Sequence, residues 1–186
     1  GKIALDETCP FFISNGIALA APEFSYINGA CITAACRQIK SKNEIALMQR
    51  VKDMTLEVHK AAARILRSGI TSEEVENFIH QAHKKVGAPA GSYFVIVLFG
   101  ADTAYPHGVS TPKTLEENDM VLIDTGCEYY GYVSDITRSY VYGKANARQR
   151  QIWTIEKEAQ AQAFNKAQIG TRCGDVDLAA RACLET

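Results

Sequence analysis

Apolar residues at Leu47, Val51, Met54, Val58, Ala61 or Ala62 and Ile65 recur at intervals of three and four. That rhythm predicts a long helix with one buried stripe, beginning near Ser41. Gly69 reads as its C-terminal cap. Thr71 to Glu74 then has the form of a capping box, and Val75, Phe78, Ile79 and Ala82 supply the stripe of a second helix. Tyr93 to Phe99, bracketed by Gly91 and Gly100, is a continuous apolar run rich in β-branched and aromatic residues, which predicts a buried strand. A loop holding Pro106, His107, Gly108 and Pro112 follows. Met120 to Asp124 and Tyr132 to Tyr142 read as two further strands, and Gln149 to Ala167 and Asp175 onward as helices. The first 40 residues differ. Their apolar runs, Lys2 to Leu5 and Gly16 to Ala20, are short and broken by Pro10, Asn15, Pro22 and Asn28, and read as brief strands and turns too small to bury a core.

The pattern also repeats. A shift of about 101 positions lays Gly69 to Glu76 on Gly170 to Asp177, and Met54 and Val58 on Ile155 and Ala159. Shared cap chemistry between two helix-turn-helix units would explain some of this. An internally duplicated domain would explain all of it, with the second copy reaching Thr186 after its helices and before its strands.

Composition narrows the class. A length of 186 residues suits one domain, or one plus part of another; 47% hydrophobic and 22% charged residues are ordinary for a globular chain. A net charge of -1 gives no reason to expect nucleic acid or an acidic membrane as partner. No apolar stretch approaches the ~20 residues needed to span a bilayer, and the first residues lack the charged start and apolar run of a signal peptide. Six cysteines show no C-x-x-C spacing, so free thiols and a reducing cytoplasm are expected.

Chemistry concentrates between Val121 and Arg138. If the two strands there form a hairpin turning through Glu128 to Gly131, Asp124 lies opposite Asp135 and Gly126 opposite Val133. Opposed residues share a sheet face with Cβ atoms about 4.5–5.5 Å apart. Leu122, Met120, Val133 and Thr137 would make that face at least half buried. Two carboxylates so placed repel each other and lose solvent, which raises one pKa or demands a cation. A divalent metal resolves the conflict. A slip of one residue would separate them onto opposite faces.

The run Asp-Thr-Gly-x-x-x-x-Gly-Tyr-x-Ser-Asp-Ile-Thr-Arg at 124–138 resembles the signature of the pita-bread metallopeptidases, above all the Xaa-Pro dipeptidases and aminopeptidases P. Pro106-His107-Gly108 and the segment from Ile39 to Leu47 match as well. The resemblance implies an α+β pita-bread fold: the first pseudo-repeat and the start of the second over 41–186, preceded by the C-terminal end of an N-terminal α/β domain over 1–40. It implies two divalent metal ions, with Mn2+ favoured and Zn2+ or Co2+ as alternatives. Asp124 would bind one metal and Asp135 would bridge both. His107 would contact substrate and assist its proton transfers. The reaction implied is cleavage of peptide bonds preceding proline by a metal-bridged hydroxide, in a homodimer. The family's other ligands, a histidine and two glutamates, match no segment here, so the chain alone is expected to hold metal weakly and to be inactive.

Other candidates carry less. His80 and His83, three apart on a helix, read as a solvated face beside Lys84 and Lys85. His59 reads as a packed or edge histidine, Trp153 as core or interface, and Cys127 as a thiol without a base to activate it. Rival readings are a methionine aminopeptidase, a creatinase-like amidinohydrolase and a non-catalytic pita-bread binding module. Retention of both aspartates and His107 argues against the last two, and the Ser-Asp-Ile-Thr-Arg form against the first.

Overall fold

A computed structural model describes residues 1–185; Thr186, the last residue of the expected catalytic segment, lies outside the described residues. The chain divides into two compact units, Gly1–Ala46 and Leu47–Thr186. In the first, strand β1 (Lys2–Leu5) pairs parallel with β2 (Ser25–Asn28), and helices α1 (Phe11–Ala20) and α2 (Ala30–Gln38) follow the two strands. The Gly16 to Ala20 run is thus helical rather than extended. An apolar run of five residues fits either structure by periodicity alone, and a parallel pair needs a crossover, which α1 supplies.

The second unit is built on helix α3 (Lys42–Ile65) and helix α4 (Ser72–Lys85), which pack on an antiparallel sheet. Strand β4 (Met120–Tyr129) is central, flanked by β3 (Ser92–Phe99) on one side and by β5 (Tyr132–Val133) and β6 (Ile136–Val141) on the other. Val58, Ala62, Val75 and Ile79 from the helices meet Val97, Phe99, Val121 and Ile123 from the sheet. Each of these valine, isoleucine and phenylalanine side chains contributes on the order of 1.5–3 kcal/mol by leaving water. The expected capping box is present: the Glu74 backbone N–H donates to Thr71 Oγ1 at 3.1 Å, and the Thr71 backbone N–H to Glu74 Oε2 at 2.9 Å. Gly69 is not the cap of α3, which ends at Ile65. It is the left-handed residue (φ 83°) of the turn into α4.

Helix α5 (Ala147–Lys166) and helix α6 (Cys173–Leu184) repeat this plan. Ile65 and Lys166 end their helices, Gly69 and Gly170 take φ of 83° and 87°, and Ser72 and Cys173 begin the next helices, all at one offset. Arg172, unlike Thr71, makes no side-chain cap. The two units therefore share geometry rather than cap chemistry, which favours duplication. Burial is not repeated: Val51 is fully buried, whereas its counterpart Ile152 is 44% exposed, as is most of the α5 stripe. Trp153 is half exposed and donates its indole N–H to the Ser139 carbonyl at 3.1 Å.

Candidate metal centre

Strand β4 alternates from Met120 to Thr125. Val121, Ile123 and Thr125 are buried toward the helices, while Met120, Leu122 and Asp124 point to the other, partly open face. The hairpin that brings Asp135 to that face is tighter than the sequence suggests. Tyr129 pairs with Tyr132, leaving a two-residue loop of Tyr130 (φ 49°) and Gly131 (φ 80°). Two left-handed residues make a type I′ turn, whose twist matches the strands it joins. Asp124 consequently pairs with Thr137 rather than with Asp135. The register differs from the expected one by two residues, an even number, so both aspartates still share a face, as diagonal rather than direct neighbours.

Ser134 and Asp135 interrupt the strand between β5 and β6. The Ser134 backbone N–H still donates to the Cys127 carbonyl at 2.9 Å, continuing the ladder. The Ser134 carbonyl passes directly over Gly126: a Cβ there would meet it at 1.8 Å. Absence of a side chain at 126 is what lets the backbone carrying Asp135 cross so close to β4.

Loss of solvent, then the charge of Asp124 and a hydrogen bond with it, hold the Asp135 carboxyl above the usual carboxylate range. The two carboxyls are thus neighbours, as expected, but their face is more open than the sequence suggests. Asp124 is half-buried, whereas Val133, Asp135 and Thr137 are exposed, because α3 and α4 cover only the opposite face. Thr137 donates its hydroxyl to Asp124 Oδ1 at 2.8 Å. Adjacent, mutually repelling oxygen donors with solvent access fit a hard or borderline divalent cation. His107 is exposed on the loop after β3. A Cβ on its neighbour Gly108 would lie 3.6 Å from Leu98, which pairs with Leu122 and so belongs to the aspartate face. That loop therefore lies against the correct face. Among the described residues no third His, Cys, Asp or Glu joins the pair to form a cluster of three.

Beneath the hairpin lies a polar network that sequence reasoning missed. Thr55 Oγ1 on α3 is 2.7 Å from Ser134 Oγ and 3.1 Å from His83 Nε2, and His83 Nδ1 is 2.8 Å from Ser92 Oγ. The Cys127 backbone N–H donates to Ser134 Oγ at 2.9 Å. His83 is wholly buried, against the expectation of a solvated face, while His80 accepts from the Ser92 backbone N–H at 3.2 Å. One turn beyond Thr55, His59 Nε2 lies 2.9 Å from the Ile136 carbonyl. A signal was available: Thr55 and His59 are i, i+4 polar residues bordering the apolar stripe of α3.

Burial, with the charges of His59 and His80, pulls the His83 pKa from 6.5 to about 4. The folded ring therefore stays neutral while the unfolded one takes a proton near pH 6.5. Stability is full above that pH and falls as pH drops toward about 4, by up to ~1.4 kcal/mol per unit for one proton. Urea unfolding at about pH 7 and about pH 5 should differ by ~2 kcal/mol from this residue. His83→Gln should flatten the slope; an unchanged slope would remove His83 as its source.

Residues 46–186 match the pattern of metallopeptidase family M24. The chain belongs to that family. The M24 chain is similar to YkvY of Bacillus subtilis (39% identity over 152 residues, covering 80% of this chain and 41% of the relative). It is also similar to the Xaa-Pro dipeptidase of Pyrococcus furiosus (34% over 149 residues, 80% of this chain and 43% of the relative). Among solved structures, the X-Pro aminopeptidase of Thermotoga maritima superposes with a TM-score of 0.89 at 27% identity, over 99% of this chain and 53% of that one. The M24 chain spans less than half the length of these curated relatives. Its fold is the expected pita-bread fold, and the repeated helical pair is the start of the second pseudo-repeat. Membership of a metallopeptidase family implies divalent metal cofactors. Among the described residues no helix is long and apolar enough to cross a membrane.

Proposed function

We propose that the chain supplies part of a dinuclear metal site that hydrolyses peptide bonds preceding proline. The observation that carries this reading is the pair Asp124 and Asp135, adjacent on the open face of the sheet, with the Asp135 carboxyl raised by loss of solvent and by the charge of its neighbour. Asp124 would hold one ion and Asp135 would bridge both; Mn2+ is favoured, with Zn2+ or Co2+ as alternatives. Bound there, the ions would polarise the scissile carbonyl and lower the pKa of a water. The chain's own groups do the rest. Thr137 orients Asp124 through its hydroxyl, and His107, on the loop against that face, would contact substrate and move a proton to the departing proline nitrogen. Likeness to an Xaa-Pro dipeptidase and an X-Pro aminopeptidase supports the proline preference. The unpaired thiols of Cys31 and Cys36 accord with a reducing cytoplasm, and a homodimer is the expected assembly.

The test uses the complete protein carrying this sequence, assayed with Xaa-Pro and Xaa-Ala dipeptides and with Xaa-Pro tripeptides. Added Mn2+ should give turnover of the proline substrates, and a chelator should abolish it. Metal analysis finding no bound ion, with no turnover of any Xaa-Pro peptide, would falsify the proposal. Preference for methionyl-alanine peptides would replace proline specificity with the methionine aminopeptidase reading.

A further inference from the structure

Asp135 lies between two residues that are each tied to the same helix. Its predecessor Ser134 is 1% exposed, and its hydroxyl is 2.7 Å from Thr55 Oγ1. Its successor Ile136 has its carbonyl 2.9 Å from His59 Nε2. Thr55 and His59 are one helical turn apart on α3, so their side chains emerge side by side toward the sheet. Both are buried, at 0% and 7% exposure. We propose that Thr55 and His59 form a two-point clamp that sets the position of the Asp135 carboxylate for metal binding. This rests on the reading of Asp135 as a metal ligand.

The chemistry of each contact is determinate. A carbonyl can only accept, so His59 must carry its proton on Nε2, and burial favours this neutral ring by holding the His59 pKa below its usual value. Its Nδ1 finds no partner among the described residues. A buried ring nitrogen left unpaired is destabilising, so His59 is a poor choice for packing alone. At the other point Thr55 is fixed in turn by His83, itself held by Ser92, so the hydroxyl that meets Ser134 cannot rotate away without breaking a buried chain of bonds.

The reason for a clamp is local. Ser134 keeps one ladder bond, from its N–H to the Cys127 carbonyl, but Asp135 lies between the strands, so the sheet alone holds its backbone on one side only. The close approach over Gly126 leaves little room below it, and the aspartate face above is open. The charge of Asp124 disfavours an ionised carboxylate beside it. Anchors on both sides hold the Asp135 backbone in place despite that charge. Groups that orient a metal ligand typically change metal affinity or activity by about 10–100-fold when removed.

The test uses calorimetric titration of Mn2+ into the complete protein carrying this sequence, with circular dichroism and thermal unfolding on every variant. Thr55→Val removes the hydroxyl and keeps the shape, and Thr55→Ser restores it. His59→Leu removes the donor, and His59→Gln replaces it with an amide N–H of similar reach. Folded T55V and H59L should each bind Mn2+ about 10–100-fold more weakly, with kcat falling more than KM rises at saturating metal. T55S and H59Q should recover most of the affinity. Should T55V fail to fold, H59L against H59Q makes the same comparison. Wild-type Mn2+ affinity in folded T55V and H59L overturns the clamp, as does loss of affinity that H59Q and T55S do not repair. Asp135→Ala is the control: if it also binds Mn2+ normally, the metal reading of Asp135 fails, and the clamp with it.

Discussion

In the complete protein carrying this sequence, the proposed role of Asp135 predicts that Asp135→Asn removes activity almost completely while leaving the metal-free fold at least as stable. The amide keeps the volume but loses the charge, and one neutral oxygen cannot bridge two cations as a carboxylate does. Lewis-acid stabilisation of this kind is worth several kcal/mol, and each 1.36 kcal/mol is tenfold in rate, so turnover of an Xaa-Pro peptide should fall by ~1000-fold or more. Stability should move the other way. The folded Asp135 carboxyl titrates above its unfolded value, so the folded state holds its proton longer, and stability is lost as pH rises through that window. At neutral pH the charge is therefore a burden that Asn removes. A melting temperature at or above wild type, measured with chelator present, separates lost function from lost fold. A D135N protein that keeps full turnover would exclude the bridging role.

Gly126→Ala should produce the largest loss of stability of any single methyl added to this chain. Its Cβ would lie 1.8 Å from the Ser134 carbonyl oxygen and 2.7 Å from its carbon, and 3.2 Å from Phe94 Cε1. The first two are backbone atoms, so no side chain can rotate aside, and the hairpin must lift from β4. Overpacking typically costs about 1–3 kcal/mol, and here the strained atoms belong to a buried ladder, so ~3 kcal/mol or more is expected from urea midpoints. Whatever folds should also lose Mn2+ affinity, because the displaced segment carries Asp135. Gly174→Ala is the matched control: it lies in α6 with nothing within 4 Å of the added atom, and should change stability by less than about 1 kcal/mol. Equal midpoints for the two variants would refute this account of Gly126.

The elements of the second unit were legible because each declares itself locally. The stripe of α3, the Thr71–Glu74 box and the apolar run of β3 are patterns within a few turns or residues, and the structure places all of them where the pattern does. The offset joining Gly69 to Gly170 was legible for the same reason, since a duplicated turn repeats its own glycine. Failures came where a short segment has no period to read. The Gly16 to Ala20 run became a helix, and the hairpin closed in a two-residue loop through Tyr130, a residue that gives no warning of a left-handed conformation. The error in register was harmless to the aspartate pair for one reason: the side-chain period of a strand is two, and the slip was two.

What the sequence determined by itself is the candidate pair: which carboxylates sit in an extended hairpin, at what spacing, and beside which Pro-His-Gly loop. Only the tertiary structure decided how Asp135 is held. Thr55 and Ser134 are 79 positions apart, and His59 and Ile136 are 77 apart. Hydrogen bonds across such distances depend on the packing of α3 beneath the sheet, and no local propensity encodes them. The same holds for the closeness of Gly126 to Ser134, where a glycine that looks like ordinary strand punctuation proves to be the space through which the second aspartate's backbone passes.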